Sequence, residues 1–359
     1  GNAIFLEDGA ETGNNFERNL IISVFPTMAL IGEDQIPAAF WISNPSNYFD
    51  GNVAAGSAAH GFWIDLEYEV RGPTADLEGR KDVVAANSSL GSFDNNVAHS
   101  CERGFRIWPV FQPPEYTRMS NFTGYANMNG FEASPAWEDI GHGIGLLNFD
   151  HFKLADNSEN NIVLAGTSPA ESWFGPQITN AVAVGRSGAQ RDEDRWSGRW
   201  RNGCGVRVDG RNSRFAWLDS TLFAHFSGKS DCRNEVFHTG NRQFHSTRFS
   251  SEVAAIAGCY ACQDNIGGQN HRLSNLSFVD VTRRMRFMWK FESIFRDLDG
   301  STSGTAGGQI VPYNRLLPII EGHCRPSVMI DPESEQEGEG VLQRTLKRQG
   351  SPDQGIARP

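Results

Sequence analysis

Short apolar runs closed by turn residues make up most of this chain. Those at 20–25, 61–66, 104–108, 144–147, 162–164, 253–257 and 276–279 are mostly flanked by Gly, Asn, Asp, Ser or Pro. Runs of that length between turn residues predict β-strands, and helical periodicity is scarce. The strands recur in order. Phe40-Trp41-Ile42 returns as Phe62-Trp63-Ile64, 22 residues on. A Phe-x-x-Asn phrase appears at Phe16…Asn19, Phe49…Asn52 and Phe93…Asn96, the last two 44 residues apart. A unit near 22 residues is too long for a heptad. It suits one coil of a solenoid, which buries little until its neighbour lies on it. A sandwich would show turn signals every ~8–12 residues and no repeated phrase.

Stacking gives the asparagines a use. Equivalent residues of successive coils lie above one another, so Asn side chains can form hydrogen-bonded ladders, and Asn tolerates left-handed turns. Asn19, Asn52 and Asn96 are therefore expected to be structural. Phe40, Trp41, Phe62 and Trp63 are expected to be rungs of the architecture rather than a binding site. Three stretches break the rhythm. Residues 109–137, with Pro109, Pro113, Pro114 and Pro135, read as an excursion, and 186–214 as a second irregular insertion. Residues 326–359 open on an acidic run and read as a polar tail or linker, leaving 1–325 as the solenoid.

Composition narrows the classes. Hydrophobic residues make up 39%, with 24 Phe and 9 Trp, enough for a substantial core. The 38 Gly fit many tight turns. A formal net charge of −11 disfavours nucleic-acid binding, which needs a basic footprint. No apolar run reaches the ~20 residues that span a bilayer, so no direct membrane insertion is expected of this segment. The first residues lack the basic and apolar regions of a signal peptide and read like mid-pattern, which suggests a processed chain or fragment.

Six cysteines, Cys101, Cys204, Cys232, Cys259, Cys262 and Cys324, accompany three N-glycosylation sequons at Asn87, Asn121 and Asn275. That combination points to a secreted or cell-surface protein whose cysteines form disulfides, with 15 pairings open.

Candidate chemistry is sparse. In 186–214, Arg195-Trp196-Ser197-Gly198-Arg199-Trp200-Arg201 sets guanidinium groups among indoles. Guanidinium grips carboxylates and sulfates in bidentate fashion and indole faces stack on sugars, so Arg195, Trp196, Arg199, Trp200 and Arg201 are the glycan-binding candidates. The alternative is a surface loop tied down by Arg–Asp pairs. Asp297 and Asp299, two apart before Gly300, have the spacing of a calcium turn without the rest of an EF-hand. The alternative is a polar turn whose carboxylates cap backbone N–H groups. Calcium is the one cofactor considered. Cys259-x-x-Cys262 lacks the second pair of a zinc site and the βαβ context of a redox site. Glu7, Asp8, Glu11, Asp65 and Glu67 offer carboxylate pairs of the kind a glycosidase needs, but spacing alone does not make them converge. No catalytic residue is assigned, since no metal-protease, nucleophile-elbow or phosphate-loop motif is present.

Several phrases together resemble a known family. They are residues 1–14, 37–45, 52–57, 61–63 and 90–100, then Cys259-Tyr260-Ala261-Cys262 and 289–301. In that order they resemble the extracellular β-helix region of fibrocystin-like proteins, which is shared with the cell-migration-inducing hyaluronan-binding protein and the transmembrane cell-surface hyaluronidase. The resemblance is strong over 1–108 and 245–304, vague between them and absent after about 325. It implies a right-handed, single-stranded parallel β-helix. It also implies an extracellular or cell-surface setting, ciliary surface included, with other domains of a larger chain as partners. The family's amino-terminal G8 domain is not recognisable, so no catalytic residue is carried over. Three readings follow. The first is a structural or adhesive module that contacts an acidic, hyaluronan-like glycan or an extracellular protein. The second is a polysaccharide-degrading enzyme, and the third a purely architectural rod.

Overall fold

The computed structural model describes residues 1–28, 35–134, 144–165, 176–185, 204–209, 216–226, 235–239, 270–281, 283–287, 294–312, 328–330 and 343–345. Among them the chain winds as a parallel β-helix with three sheets. Sheet A has nine strands, from Ile4–Phe5 through Ala38–Ile42, His60–Ile64, Arg103–Ile107 and Asn129–Ala133 to Arg283–Phe287. Sheet B has twelve, from Asn15–Glu17 to Gln343–Thr345, and sheet C eight, from Leu20–Val24 to Ser277–Val281. Each coil visits A, then B, then C, and pairs in parallel with the coils on either side. The described residues include short 3-10 turns at Gly72–Asp76 and Ala85–Asn87 and no α-helix.

The 22-residue echo is one coil: Phe40 pairs with Phe62 and Trp41 with Trp63. The 44-residue spacing is also one coil, because Phe49 pairs directly with Phe93. The repeat is thus set by pairing register and not by a constant length. Loops of any size can leave at the corners at small entropic cost, and here residues 65–91 do so.

Inside, aromatic rings stack from coil to coil. Phe40 and Phe62 lie 4.6 Å apart at 6°, and Phe93 and Phe105 4.5 Å apart at 17°. Burying each such ring contributes about 1.5–3 kcal/mol. The corner between sheets B and C turns on one left-handed residue per coil: Arg18, Gly51, Asn95, Asn121, His151, Asn180, Ser220 and Asn275 all have positive φ. Just after it, Asn19, Asn52 and Asn96 form the expected ladder. The backbone N–H and Nδ2 of Asn19 both donate to Asn52 Oδ1, at 3.1 and 2.9 Å.

Three boundaries differ from the expectation. Within 109–137, Thr117–Ser120, Thr123–Tyr125 and Asn129–Ala133 are regular strands of sheets B, C and A. Pro109, Pro113 and Pro114 lie in the corner loop before them, and Pro135 lies outside the described residues. Within 186–214, Cys204–Asp209 is a regular strand paired with Asn160–Ala165, while 186–203 and 210–214 lie outside the described residues. In 326–359, Val328–Ile330 and Gln343–Thr345 extend sheet B. Just before it the uniformly parallel order is broken, because Gly308–Pro312 runs antiparallel to Ile294–Asp297.

Candidate functional site

The outer face of sheet A carries one network of ion pairs, and its origin lies in a break of strand alternation. Ala38 pairs with His60 and Phe40 with Phe62, while the residues between them, Ala39 and Gly61, also face inward. Two consecutive inward residues leave room for little more than glycine. A Cβ on Gly61 would sit 2.4 Å from the Gly104 carbonyl oxygen, and one on Gly104 2.6 Å from that of Gly130. Outward, two columns run along the coils. One is Ala38, His60, Arg103, Asn129 and Asn160; the other is Trp41, Trp63, Arg106, Glu132 and Val163. Trp41 and Trp63 therefore stack, 4.3 Å apart, outside the main core. All four pair as rungs of adjacent coils, Phe40 and Phe62 in the interior and Trp41 and Trp63 as a buried pair on the outer side.

Arg106 lies over both neighbouring indoles, its guanidinium carbon 5.9 Å from the Trp63 ring centre and 5.2 Å from that of Trp108. Glu132 sits between two arginines. It accepts from Arg103 Nε at 2.8 Å, lies 3.4 Å from Arg106 Nε, and accepts from Ser134 Oγ at 3.0 Å. Arg103 also pairs with Glu102. Burial pushes the Glu132 pKa up, but the two arginines outweigh it and hold the carboxyl below its ordinary range. Burial likewise lowers the Arg106 pKa despite Glu132. His60, fully buried, meets Trp63 edge-on at 4.5 Å. Burial, then Arg106 and Arg103, push its pKa well below 6.5, so the ring is neutral.

The other carboxylates named from the sequence form no open pair. Arg71 bridges Asp65 and Glu67. Glu11 accepts the backbone N–H groups of Glu7, Asp8 and Gly9 at 3.1, 3.0 and 3.0 Å, and Asp8 accepts from Thr74.

Arg195, Trp196, Arg199, Trp200 and Arg201 lie outside the described residues. Asp297 is buried and accepts from the N–H groups of Thr302 and Ser303. Asp299 accepts from those of Ser301 and Asn275. Among the described residues no three His, Cys, Asp or Glu side chains are placed to hold a metal ion. Cys101 is a free, buried thiol that donates to the His99 carbonyl oxygen at 3.3 Å and accepts the Ser57 N–H at 3.4 Å, not the disulfide partner expected. The side chains of Cys204, Cys232, Cys259, Cys262 and Cys324 lie outside the described residues. Of the sequon asparagines, Asn87 is exposed on a 3-10 turn. Asn121 and Asn275 instead donate Nδ2 to Asp94 and Asp219 of the preceding coil, at 2.8 and 2.9 Å.

Comparison with known proteins agrees with the coil geometry. Residues 1–105 match the family model of the CEMIP beta-helix. Mouse fibrocystin-L is 28% identical over 338 residues, which cover 90% of this chain and 7% of that protein. The chain is homologous to the fibrocystins. Mouse fibrocystin is 24% identical, over 86% of this chain and 6% of its own length. The mouse cell migration-inducing and hyaluronan-binding protein is 24% identical, over 88% of this chain and 27% of its own. The chain thus spans a small part of each. Among solved structures, the A-module of the Azotobacter vinelandii mannuronan C-5 epimerase AlgE4 aligns with a TM-score of 0.40 at 10% identity, over 71% of this chain and 55% of that one. The tryptophan–arginine face was missed in the sequence, although a signal was present. Gly61-Phe62, Gly104-Phe105 and Gly130-Phe131 repeat a Gly-Phe pair, and the residue after each pair is Trp63, Arg106 or Glu132.

Proposed function

We propose that the chain is a β-helix module of a larger extracellular or cell-surface protein, ciliary surface included, which holds an acidic glycan without cleaving it. The observation that carries this reading is the placement of Arg106 over the indoles of Trp63 and Trp108 on the outer face of sheet A. Indole faces suit sugar C–H surfaces, and guanidinium suits a carboxylate or sulfate. One relative carries hyaluronan binding in its name, which supports a glycan of that type. The arginine and tryptophan run at Arg195, Trp196, Arg199, Trp200 and Arg201 adds a second set of contacts in this reading.

Holding rather than cutting is supported by Glu132. A glycosidase separates its two carboxylates into a raised acid and an ionised partner, whereas Glu132 is ion-paired and lowered. The test is incubation of the chain with hyaluronan, with and without calcium, followed by size-exclusion chromatography. Co-migration with a polymer of unchanged length is expected. Shortening of the polymer would establish an enzyme instead, and separate elution would remove the glycan from the reading.

A further inference from the structure

Among the described residues, several polar atoms at the base of the sheet A face have no hydrogen-bond partner. Neither ring nitrogen of His60 makes a hydrogen bond, and the Trp63 Nε1 and Arg106 Nε are buried without one, although Glu132 lies 3.4 Å from the latter. An unpaired buried donor or acceptor costs about 1–3 kcal/mol. Such groups are few in a folded protein and call for an explanation wherever they occur. Here three side chains share one patch. His60 has no exposure, while the Arg106 side chain above it keeps 18%.

The donors differ in how far they are committed. Arg103 is held by Glu132 and Glu102. Arg106 has only the loose contact with Glu132, and its planar fork of five N–H groups lies against two indoles.

We propose that this patch is a subsite for one anionic sugar residue. Arg106 receives its carboxylate or sulfate ester over Trp63 and Trp108, and His60, buried beneath this face, senses the added charge. The proposal rests on the glycan reading above and names the residues that take the charge. With Arg103 already committed, the subsite accepts one anionic group.

The test uses the full chain with carbon-13-labelled histidine rings, the His60 resonance being assigned from His60→Gln. Sodium glucuronate, glucose 6-sulfate and glucose are the probes, and tryptophan emission is followed in parallel. At least one anionic probe should shift the His60 resonance saturably, and glucose at equal concentration should not. Whichever anion acts identifies the group. Arg106→Lys keeps the charge and loses the fork, and should weaken binding by at least about tenfold. A His60 resonance unmoved by either anion, or moved equally by glucose, overturns the proposal without any variant. So does unchanged affinity in an Arg106→Lys chain that melts like the parent. Hyaluronan titrated alongside separates the two readings. Equal polymer binding by parent and variant with a silent His60 removes the subsite alone, and no polymer binding by the parent removes both.

Discussion

Asn52 donates its backbone N–H and its Nδ2 to the same atom, Asn96 Oδ1, at 3.0 and 3.1 Å across 44 residues of sequence. Asn96 in turn donates Nδ2 to the Phe49 carbonyl oxygen at 3.0 Å. Both asparagines are fully buried. Replacing Asn96 with Ala removes one acceptor and one donor together and strands the groups of Asn52 and Phe49 in the interior. The expected cost is about 2–4 kcal/mol, from more than one orphaned buried group. Urea unfolding of Asn96→Ala against the parent measures it as a lower midpoint. An unchanged midpoint would mean that the ladder does not hold the coils together.

Glu132 neutralises Arg103 and Arg106 on a face where all three are largely out of water. Glu132→Gln keeps the shape and leaves two arginines facing each other. Breaking a buried pair by one partner typically costs about 3–5 kcal/mol, and partial exposure of the arginines places this case near the lower end. Glu17, exposed on the first coil, serves as the control, and Glu17→Gln should stay within about 0.5 kcal/mol of the parent.

Two buried histidines make the fold sensitive to mild acid. Burial lowers the His271 pKa to about 3, with Nδ1 accepting the Ala216 N–H at 3.1 Å, and lowers that of His60 well below 6.5. The folded state binds these protons less readily than the unfolded chain. Stability is therefore complete above about pH 6.5 and falls as pH drops below it, by up to about 1.4 kcal/mol per unit for each histidine. Asp150 acts in a lower window. Burial pushes its carboxyl up, but hydrogen bonds from Thr179, Asn180 and His151, with Arg118 nearby, bring it to about 2. Its contribution is present above about pH 4 and is lost between there and pH 2. Chemical denaturation from pH 7 to pH 5 should show the histidine slope, and His271→Gln should flatten it. A parent stability that is flat from 7 to 5 would contradict these assignments.

The Cys101 thiol is enclosed, and burial raises its pKa. Thiolate is the reactive form, so maleimide should leave the Cys101 peptide unlabelled in the native chain and label it in urea without reductant. Mass spectrometry of the peptides reads both states. Labelling that appears only after reduction would show a disulfide.

The core was more legible than the face. Phe-x-x-Asn could be read because Phe49 and Asn52 point inward, where one chemistry serves every coil, and because the left-handed residue between them suits Gly or Asn. The side of Trp41 and Trp63 could not be read from alternation. In Ala38–Ile42 and His60–Ile64 every residue is buried, and two consecutive inward residues break the period of two. The ion network was hidden for another reason. Arg103 and Arg106 lie on one coil and Glu132 on the next, and only the register of Arg106 with Glu132 brings them together. Corner loops of unequal length, such as 65–91, make that register invisible to spacing.

Hydroxyl-radical footprinting of the full chain, with and without saturating hyaluronan, tests the central claim most directly by reading the oxidation of each tryptophan. The outer face of sheet A as the glycan-holding surface predicts that Trp108, which is partly exposed, is protected when the polymer binds. Polymer binding that leaves Trp108 oxidation unchanged would contradict it.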